Sequence, residues 1–340
     1  MSFESTPEQQ AIREAVLQSC APFGEDYWLE HDRTGEFPHQ FYAAMAQAGW
    51  LGMAIPEAYG GSGLGVTEAA LMMQTVAETG AGMSGCSAFH INIFGLMPIV
   101  VFGTEAQKQR FLPPMVQGQV KSCFGVTEPN TGLNTTQLKT RAVLKGDRYV
   151  VHGQKVWIST AQVADKILLL ARTTPIEECK SHSQGQGFKY MLHGMNLERS
   201  LIGSEVIGIG RAALRKAATY AQERVVFDRP IGKNQGIQHP LAANWMELEA
   251  AHLMMLKAAW LYDQGRDCGA EANATKYLGA EAGFHACERA ILTHGGFGYA
   301  KEYHVERYLR EVMIARIAPV SREQILSYIA ERVLGLPKSY

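Results

Sequence analysis

The sequence has few cysteines, and they form none of the patterns that bind metals or build a disulfide framework. The 6 cysteines among its 340 residues are scattered, without a C-x-x-C pair and without a histidine at ligand spacing. They are Cys20, Cys86, Cys123, Cys179, Cys268 and Cys287. We therefore predict reduced thiols and no metal site.

Long apolar runs are also missing. The longest candidate, from Phe94 to Phe102, is interrupted by Gly95 and Pro98 and is too short to span a bilayer. The opening residues, MSFESTPEQQAIREAV, include acidic side chains and no hydrophobic region, so we expect neither a secretory signal nor a transit peptide. The sequence indicates a cytoplasmic protein without a membrane span.

The chain has no excess of charge of either sign. Lys and Arg total 32 against 33 Asp and Glu, which gives a formal net charge of −1. Proteins that bind nucleic acids usually carry a basic excess, so we expect no nucleic-acid partner. The hydrophobic content of 46% and the length predict a large core and two or three domains.

Apolar periodicity divides the chain into three parts. From Pro7 to about Gln117 apolar residues recur at helical steps, interrupted by the glycine-rich connector IPEAYGGSGLG. From Lys121 short runs of β-branched and aromatic residues alternate with Gly-Asp and His-Gly turn signals, and helical periodicity returns after Gly187. This order predicts an α+β fold with a small β-domain. The predicted domains are an N-terminal helical domain (1–120), a central β-domain (121–186) and a C-terminal helical bundle (187–340).

Glu198 stands within an apolar stripe that recurs at steps of three and four residues, so it shares one helix face with these residues. The stripe consists of Met191, Met195, Ile202, Val206 and Ile209. Burial raises the pKa of a carboxylate and suits it to act as a general base. The alternative is a structural role, in which Glu198 near a helix end pairs with a nearby arginine.

Four motifs follow one another between Val126 and Tyr308. They are Val126-Thr127-Glu128-Pro129 with Gly132, Lys155-Val156-Trp157-Ile158-Ser159, Glu223-Arg224-Val225-Val226-Phe227 with Gln235, and His294-Gly295-Gly296-Phe297-Gly298-Tyr299 with Val305-Glu306-Arg307-Tyr308. Each motif alone is weak. Together with the order of helices, strands and helices, they resemble the acyl-CoA dehydrogenases, flavoenzymes that desaturate acyl-CoA thioesters.

The resemblance implies which residues hold the cofactor, FAD. A flavin ring needs an apolar partner and hydrogen-bond donors, and a pyrophosphate needs cations and accessible N–H groups. In the family, part of the C-terminal domain reaches the flavin of a neighbouring subunit, which implies a homo-oligomer, with a tetramer as the expected state. The implied residues are Phe124, Val126, Thr127, Trp157 and Ser159 in the β-domain, and Arg224, Phe227, Gln235, Gly295, Gly296 and Ser321 in the C-terminal domain.

The resemblance also implies a reaction. The α-hydrogen of a fatty acyl-CoA leaves as a proton and the β-hydrogen as a hydride to the flavin, which gives a trans-2-enoyl-CoA and passes electrons to an electron-transfer flavoprotein. Family members carry the base either in a loop near the C-terminus or on the helix after the β-domain. The first location holds Pro319, whereas the second holds Glu198. Glu198 is therefore the predicted base, with Arg199 beside it at the substrate.

Some features depart from the family pattern. In relatives, several tens of residues of further strands separate the positions of Ser159 and Glu198, whereas this interval is much shorter here. Either the second half of the β-domain is absent, or the sequence omits a segment, and we expect the omission. In addition, Pro319 lacks the N–H that relatives often use to polarise the thioester carbonyl, and Leu133 replaces a serine that often meets the acyl-CoA.

Several alternatives stay open. Within the same fold, a flavin oxidase or monooxygenase would use O₂ directly. A truly truncated β-domain would favour a non-catalytic scaffold. Ser321 begins an S-x-x-Q pattern with Gln324 and could simply cap the last helix. The length and branching of the acyl chain do not follow from the sequence.

Overall fold

The computed structural model describes residues 5–175, 178 and 186–339. Helices account for most of this part of the chain. In chain order they are α1 (Pro7–Cys20), α2 (Glu25–Thr34), α3 (His39–Gln47), α4 (Val66–Val76), α5 (Gly82–Ser87), α6 (His90–Phe94), α7 (Met97–Phe102), α8 (Glu105–Val116), α9 (Gln186–Glu223), α10 (Gln235–Asp263), α11 (Gly269–His294), α12 (Val305–Val312), α13 (Ile314–Ile317) and α14 (Arg322–Arg332).

The strands are short and pair two by two. They are β1 (Ser122–Gly125), β2 (Arg141–Lys145), β3 (Arg148–His152), β4 (Lys166–Leu169), β5 (Val225–Val226) and β6 (Arg229–Pro230). β1 runs parallel to β4, whereas β2 pairs with β3 and β5 with β6 in antiparallel hairpins. The predicted Gly-Asp turn joins β2 to β3, and Gly146 there has a φ of 64°, which glycine adopts without steric penalty.

Local sequence signals explain where several helices begin. Thr6 accepts a hydrogen bond from the backbone N–H of Gln9, whose side chain bonds back to Thr6, and Thr104 and Gln107 form the same capping box before α8. Such boxes satisfy N–H groups that the first helical turn leaves unpaired.

One compact unit, the helical unit, comprises Met1–Ala48, Leu64–His90 and Asn196–Tyr340. In this unit α10 packs against α11 and α4, and α11 packs against α12 and α14. α10 and α11 therefore each have more than one helix packed against them.

Glycines allow α9 and α11 to approach closely. A Cβ on Gly279 would lie 2.8 Å from the backbone oxygen of Gly203, and a Cβ on Gly283 would lie 2.6 Å from that of Val206. Real Cβ atoms do not tolerate such distances, so only glycine permits this crossing. The crossing fixes the middle of α9 against α11.

The second compact unit, the mixed unit, comprises Gly49–Gly63 and Ile91–Met195. It contains α7, α8 and the strands β1 to β4. A small apolar core lies among the helices of this unit. Its members are Ile55, Leu96, Leu112, Met115 and Val116.

The described residues bear on three expectations from composition. No single helix among them is long and apolar enough to cross a membrane, although the bent pair Val66–Ser87 and His90–Phe102 together reaches that length and composition. No group of three or more His, Cys, Asp or Glu among them could hold a metal ion. The predicted free thiols are confirmed at five positions, and Cys179 lies outside the described residues. These buried thiols are Cys20, Cys86, Cys123, Cys268 and Cys287.

The interval between Ser159 and Glu198 is short in the sequence. The expectation that a segment is omitted there stays a prediction. The polar stretch 179–185, where the sequence passes from the β-region to α9, lies outside the described residues.

Candidate active site

Glu198 lies on the buried face of α9, as its apolar stripe predicts. Its residue is 5% exposed, and Ile202, Val206 and Ile209 of the same stripe are also buried. Among the described residues, Glu198 Oε2 has no hydrogen-bond partner. A buried carboxylate oxygen without a partner is rare, and it is free to accept a proton from a bound molecule.

His90 lies between Glu198 and a second buried carboxylate, that of Glu205. His90 Nδ1 hydrogen-bonds to Glu205 Oε1, and His90 Nε2 lies 3.9 Å from Glu198 Oε1. The Glu205 residue is fully buried, and two turns of α9 separate it from Glu198. The helix thus presents two carboxylates to one imidazole.

The electrostatic surroundings hold Glu198 near the midpoint of its titration at neutral pH. Its pKa is raised from 4.5 to about 7, mainly by burial and in addition by the charge of the Glu205 carboxylate. The positive charges of His90, Arg199 and Lys276 act in the opposite direction and lower this pKa. A carboxylate with a pKa near the working pH combines a basic form with a good driving force for proton transfer. Glu198 has the properties of a general base.

Lys276 of α11 is the second cation near Glu198. The residue is 1% exposed, and its Nζ donates to the carbonyl oxygen of Val320 at 2.5 Å. Burial lowers the pKa of Lys276 to about 8, against the opposing charge of Glu198. Lys276 thereby ties the loop around Pro319 to the helix that faces Glu198.

Arg199 is only half-buried and hydrogen-bonds along its own helix. Its Nη1 donates to Asn196 Oδ1 at 3.0 Å. In the part of the chain that the structure describes, the carboxylate of Glu198 is ion-paired with His90 rather than with Arg199. The structural alternative, a glutamate paired with a nearby arginine, therefore does not describe Glu198, and a substrate role for Arg199 stays a prediction.

A cavity of about 450 Å³ lies where α9 meets the loop after α11. It brings together three predicted cofactor residues, Arg224, Gly295 and Gly296. The Arg224 guanidinium lies 5.7 Å from the ring centroid of Phe297. A Cβ on either Gly295 or Gly296 would meet nothing within 4 Å, so the backbone there is open to a ligand.

Three other predicted residues of the helical unit lie outside the lining of this cavity. Phe227 is 94% exposed in the turn between β5 and β6, and Gln235 is the exposed first residue of α10. Ser321 accepts a hydrogen bond from the backbone N–H of Gln324 at 3.3 Å, which confirms its predicted capping role. Cofactor contacts by these three residues stay predictions.

The first two sequence motifs meet in the mixed unit. The N–H of Val156 donates to the carbonyl oxygen of Thr127 at 3.0 Å. Lys155 Nζ donates to the carbonyl oxygen of Val126 at 2.8 Å and to Glu128 Oε1 at 2.9 Å. The two motifs, which lie far apart in the sequence, are thus joined by direct hydrogen bonds.

The strands predicted in this region form, but they end before the two motifs begin. β1 ends at Gly125 and β3 at His152, so Thr127 and Trp157 lie in irregular segments. Trp157 has a φ of 59°, a left-handed conformation that cannot continue a strand ladder. Its residue is 91% exposed, and Ser159 is also exposed. Phe124 lies in β1, where its ring contacts Phe94 edge to face.

Sequence comparison decides the family. The chain matches the models of the acyl-CoA dehydrogenase N-terminal domain over residues 6–119, the middle domain over 123–195 and the C-terminal domain over 185–334. The chain belongs to the acyl-CoA dehydrogenase family. It is therefore an oxidoreductase whose substrate is an acyl-CoA. The domain boundaries predicted from periodicity stay predictions.

Individual relatives agree. The acyl-CoA dehydrogenase fadE12 of Mycobacterium bovis is 34% identical over 386 aligned positions, which cover 100% of this chain and 99% of that protein. The structure of butyryl-CoA dehydrogenase from Megasphaera elsdenii matches with a TM-score of 0.91 at 26% identity, covering 98% and 100% of the two chains. A chain in a structure described as the electron transferring flavoprotein of Acidaminococcus fermentans matches with a TM-score of 0.89 at 26% identity, covering 98% and 100%.

The alignment also shows that this acyl-CoA dehydrogenase is short. An alignment of 386 positions is longer than the 340-residue chain, although both proteins are almost fully covered. The mycobacterial relative therefore contains several tens of residues that this chain lacks, in agreement with the short interval between Ser159 and Glu198.

Sequence reasoning missed three residues that surround the base. The proximity of Glu205 could have been predicted from the sequence, because it lies seven residues after Glu198 and therefore on the same helix face. The proximity of His90 and Lys276 could not, because they come from distant parts of the chain and lie near Glu198 only in the folded unit.

Proposed function

We propose that this protein is an FAD-dependent acyl-CoA dehydrogenase in which Glu198 removes the α-proton of a fatty acyl-CoA. The observation that carries this proposal is the buried Glu198 carboxylate, whose Oε2 is unpaired among the described residues and whose pKa is raised to about 7. The product is a trans-2-enoyl-CoA, and the electrons pass to an electron-transfer flavoprotein.

FAD is the cofactor of this family, and the residues present fit it. Each compact unit, taken by itself, carries groups that suit FAD. In the helical unit, Arg224 and the open backbone of Gly295 and Gly296 line one cavity, which suits a pyrophosphate. In the mixed unit, the exposed indole of Trp157 offers a flat apolar face to a flavin ring. The hydroxyls of Ser159 in the same motif and of Thr127 in the motif bonded to it are hydrogen-bonding groups for the cofactor. When bound, FAD supplies the hydride acceptor.

Glu198 accepts the α-proton on Oε2. Because the carboxylate is buried, water does not compete for it, and proton transfer occurs from a substrate held beside it. Lys276 binds the loop next to Pro319 through the carbonyl oxygen of Val320. Pro319 itself has no backbone N–H to donate. The group that polarises the thioester carbonyl therefore comes from elsewhere than the Pro319 amide.

The oligomer and the electron acceptor are part of the same proposal. The cavity that contains Arg224 reaches the flavin of a neighbouring copy, so that a homotetramer completes the cofactor site. The similarity to a chain in the structure described as the electron transferring flavoprotein of Acidaminococcus fermentans supports an electron-transfer flavoprotein as the acceptor.

Replacement of the base tests this function. In Glu198→Gln the carboxylate is lost and the side-chain volume is kept, so FAD binding should persist while the single-turnover rate of flavin reduction by acyl-CoA falls by about 10³-fold. The measurement is anaerobic stopped-flow absorbance of the flavin, with FAD content determined beforehand.

Glu249→Gln is the matched control. Glu249 is a partly exposed carboxylate of the helical unit that pairs with Arg211 at 2.6 Å, and its loss should leave the rate within about twofold of wild type. A Glu198→Gln protein that binds FAD and is reduced at the wild-type rate would exclude Glu198 as the base.

A further inference from the structure

His90 contacts two buried carboxylates, although proton removal by Glu198 requires only one. Both nitrogens of the imidazole face carboxylates of one helix: Nδ1 hydrogen-bonds to Glu205 Oε1, and Nε2 lies 3.9 Å from Glu198 Oε1. The His90 side chain is 12% exposed, and those of Glu198 and Glu205 are 7% and 1% exposed. Two buried carboxylates this close together repel each other unless a positive charge lies between them.

We propose that His90 is a positioning residue for the proposed reaction: Glu205 holds its imidazole as a cation, and this cation keeps Glu198 ionised and oriented for proton abstraction. The inference rests on the proposed function of Glu198. It assigns to His90 and Glu205 a role in setting the form of the base rather than in contacting the substrate.

The chemistry of the carboxylate fixes the direction of the hydrogen bond between His90 and Glu205. Glu205 accepts from His90 Nδ1–H, because a carboxylate accepts and does not donate. Nε2 then faces Glu198, and as a cation it offers an N–H to that carboxylate. Burial alone would lower the pKa of His90, but the charges of Glu205 and Glu198 outweigh it, so the pKa of the imidazole is raised.

Other ionisable groups lie near His90, Glu198 and Glu205, and their effects on pKa can be stated by direction. Arg199 and Lys276 add positive charge near Glu198 and lower its pKa. The Cys86 thiol, on the neighbouring helix α5, is fully buried, and burial holds its pKa well above 9.0, with the Glu205 charge as a further cause. The thiol therefore stays neutral, and His90 is the group between the two carboxylates that responds to pH.

The pH profile of flavin reduction tests the proposal. The rate of flavin reduction should fall at low pH as Glu198 becomes protonated, and we call this part of the pH profile the acidic limb. His90→Asn removes the cation and should move the midpoint of the acidic limb upward by about one to three pH units, because an opposite charge at this range shifts a carboxylate pKa by that amount. The rate should recover at high pH, where Glu198 ionises without help. A His90→Asn enzyme with an unmoved limb would overturn the proposal.

Glu205→Gln separates the indirect action of Glu205 from its own charge. If Glu205 acts by holding His90 as a cation, this variant also moves the limb upward. If Glu205 acts only through direct repulsion of Glu198, its loss moves the limb downward, and that result would contradict the proposed role of Glu205.

His252→Asn is the matched control for loss of a buried histidine. His252 is a partly buried residue of the helical unit whose Nδ1 lies 2.8 Å from the neutral side chain of Gln74. Its replacement should lower the melting temperature without moving the acidic limb. A shift of the same size in His252→Asn would show that the His90 effect is structural.

A second readout does not depend on activity. In holoenzyme labelled with ¹³Cε1-histidine, the NMR signal lost in His90→Asn identifies His90, and its pH titration reports the charge directly. We expect a cationic His90 at pH 7 in the wild type and a downward-shifted titration in Glu205→Gln. A neutral His90 at pH 6 would overturn the proposal, whereas a cationic His90 in a protein that acyl-CoA never reduces would place the failure in the proposed function.

Discussion

Glu128 links the two motifs of the mixed unit through one buried carboxylate. It accepts hydrogen bonds from the N–H groups of Lys139 and Thr140 at 2.6 and 2.9 Å and from Lys155 Nζ at 2.9 Å. Burial raises its pKa, but these hydrogen bonds outweigh it and lower the pKa from 4.5 to about 2. The Thr-Glu-Pro motif thus supports the segment that carries Trp157.

We predict that Glu128→Gln destabilises the protein by about 3 kcal/mol at pH 7, because it leaves the buried Lys155 ammonium without its counter-charge. The depressed pKa means that the contribution is present above pH 4.5 and is lost as the pH falls toward about 2. Urea unfolding at pH 7 and at pH 3 measures both effects.

The exposed Glu57→Gln of the same unit serves as the control and should have almost no effect. The prediction would be refuted by a difference in stability between wild type and Glu128→Gln that stays constant from pH 7 to pH 3.

At the level of single residues, the sequence points to Glu198 but not to its surroundings. The burial of Glu198 was predictable because its place in an apolar stripe is local. The positions of His90 and Lys276 were not, because their proximity to Glu198 depends on how distant segments pack against α9. The capping role of Ser321 was predictable because it depends on a residue only three positions away.

Among the elements, the crossing of α9 and α11 sets the geometry around the base. Gly203 lies on α9 a little beyond Glu198, and Gly279 lies on α11 one turn after Lys276. The close contact of the two glycines holds the carboxylate and the ammonium on facing helices. The positions of both charges therefore depend on two residues that have no side chain.

Gly279→Ala should separate the two helices, because its Cβ would lie 2.8 Å from the carbonyl oxygen of Gly203. We expect a loss of about 1–3 kcal/mol, typical of overpacking, together with a lower rate of flavin reduction. Differential scanning calorimetry and stopped-flow reduction measure the two effects.

Gly236→Ala is the control, since a Cβ there meets nothing within 4 Å. An unchanged melting temperature in Gly279→Ala would show that the helices are not in this contact.

Helices could be predicted from the sequence better than strands. Capping residues and apolar periodicity act locally, and the helical regions before Lys121 and after Gly187 match the structure. The β-region predicted from Lys121 contains strands, but none extends to Lys155–Ser159, because β-branched and aromatic residues indicate only a preference, whereas pairing partners decide whether a strand forms. The left-handed conformation of Trp157 leaves no signal in composition.

On the scale of the whole molecule, the chain is shorter than its mycobacterial relative, and the interval between Ser159 and Glu198 is short. Among the described residues of the mixed unit, the strands β1 to β4 pair two by two, and apolar side chains on them are exposed. Examples are Leu144 at 59%, Tyr149 at 58% and Ile167 at 48%. Open strand edges with exposed apolar side chains favour association with other chains. His90, Glu198, Glu205 and Lys276, by contrast, all lie within the helical unit.

The most direct test of the account is therefore anaerobic mixing of the purified, FAD-loaded protein with straight and branched saturated acyl-CoAs, followed by flavin absorbance. The account predicts bleaching of the flavin by at least one thioester, with the fastest reaction identifying the preferred acyl chain. A protein that holds FAD but is reduced by no acyl-CoA would contradict it.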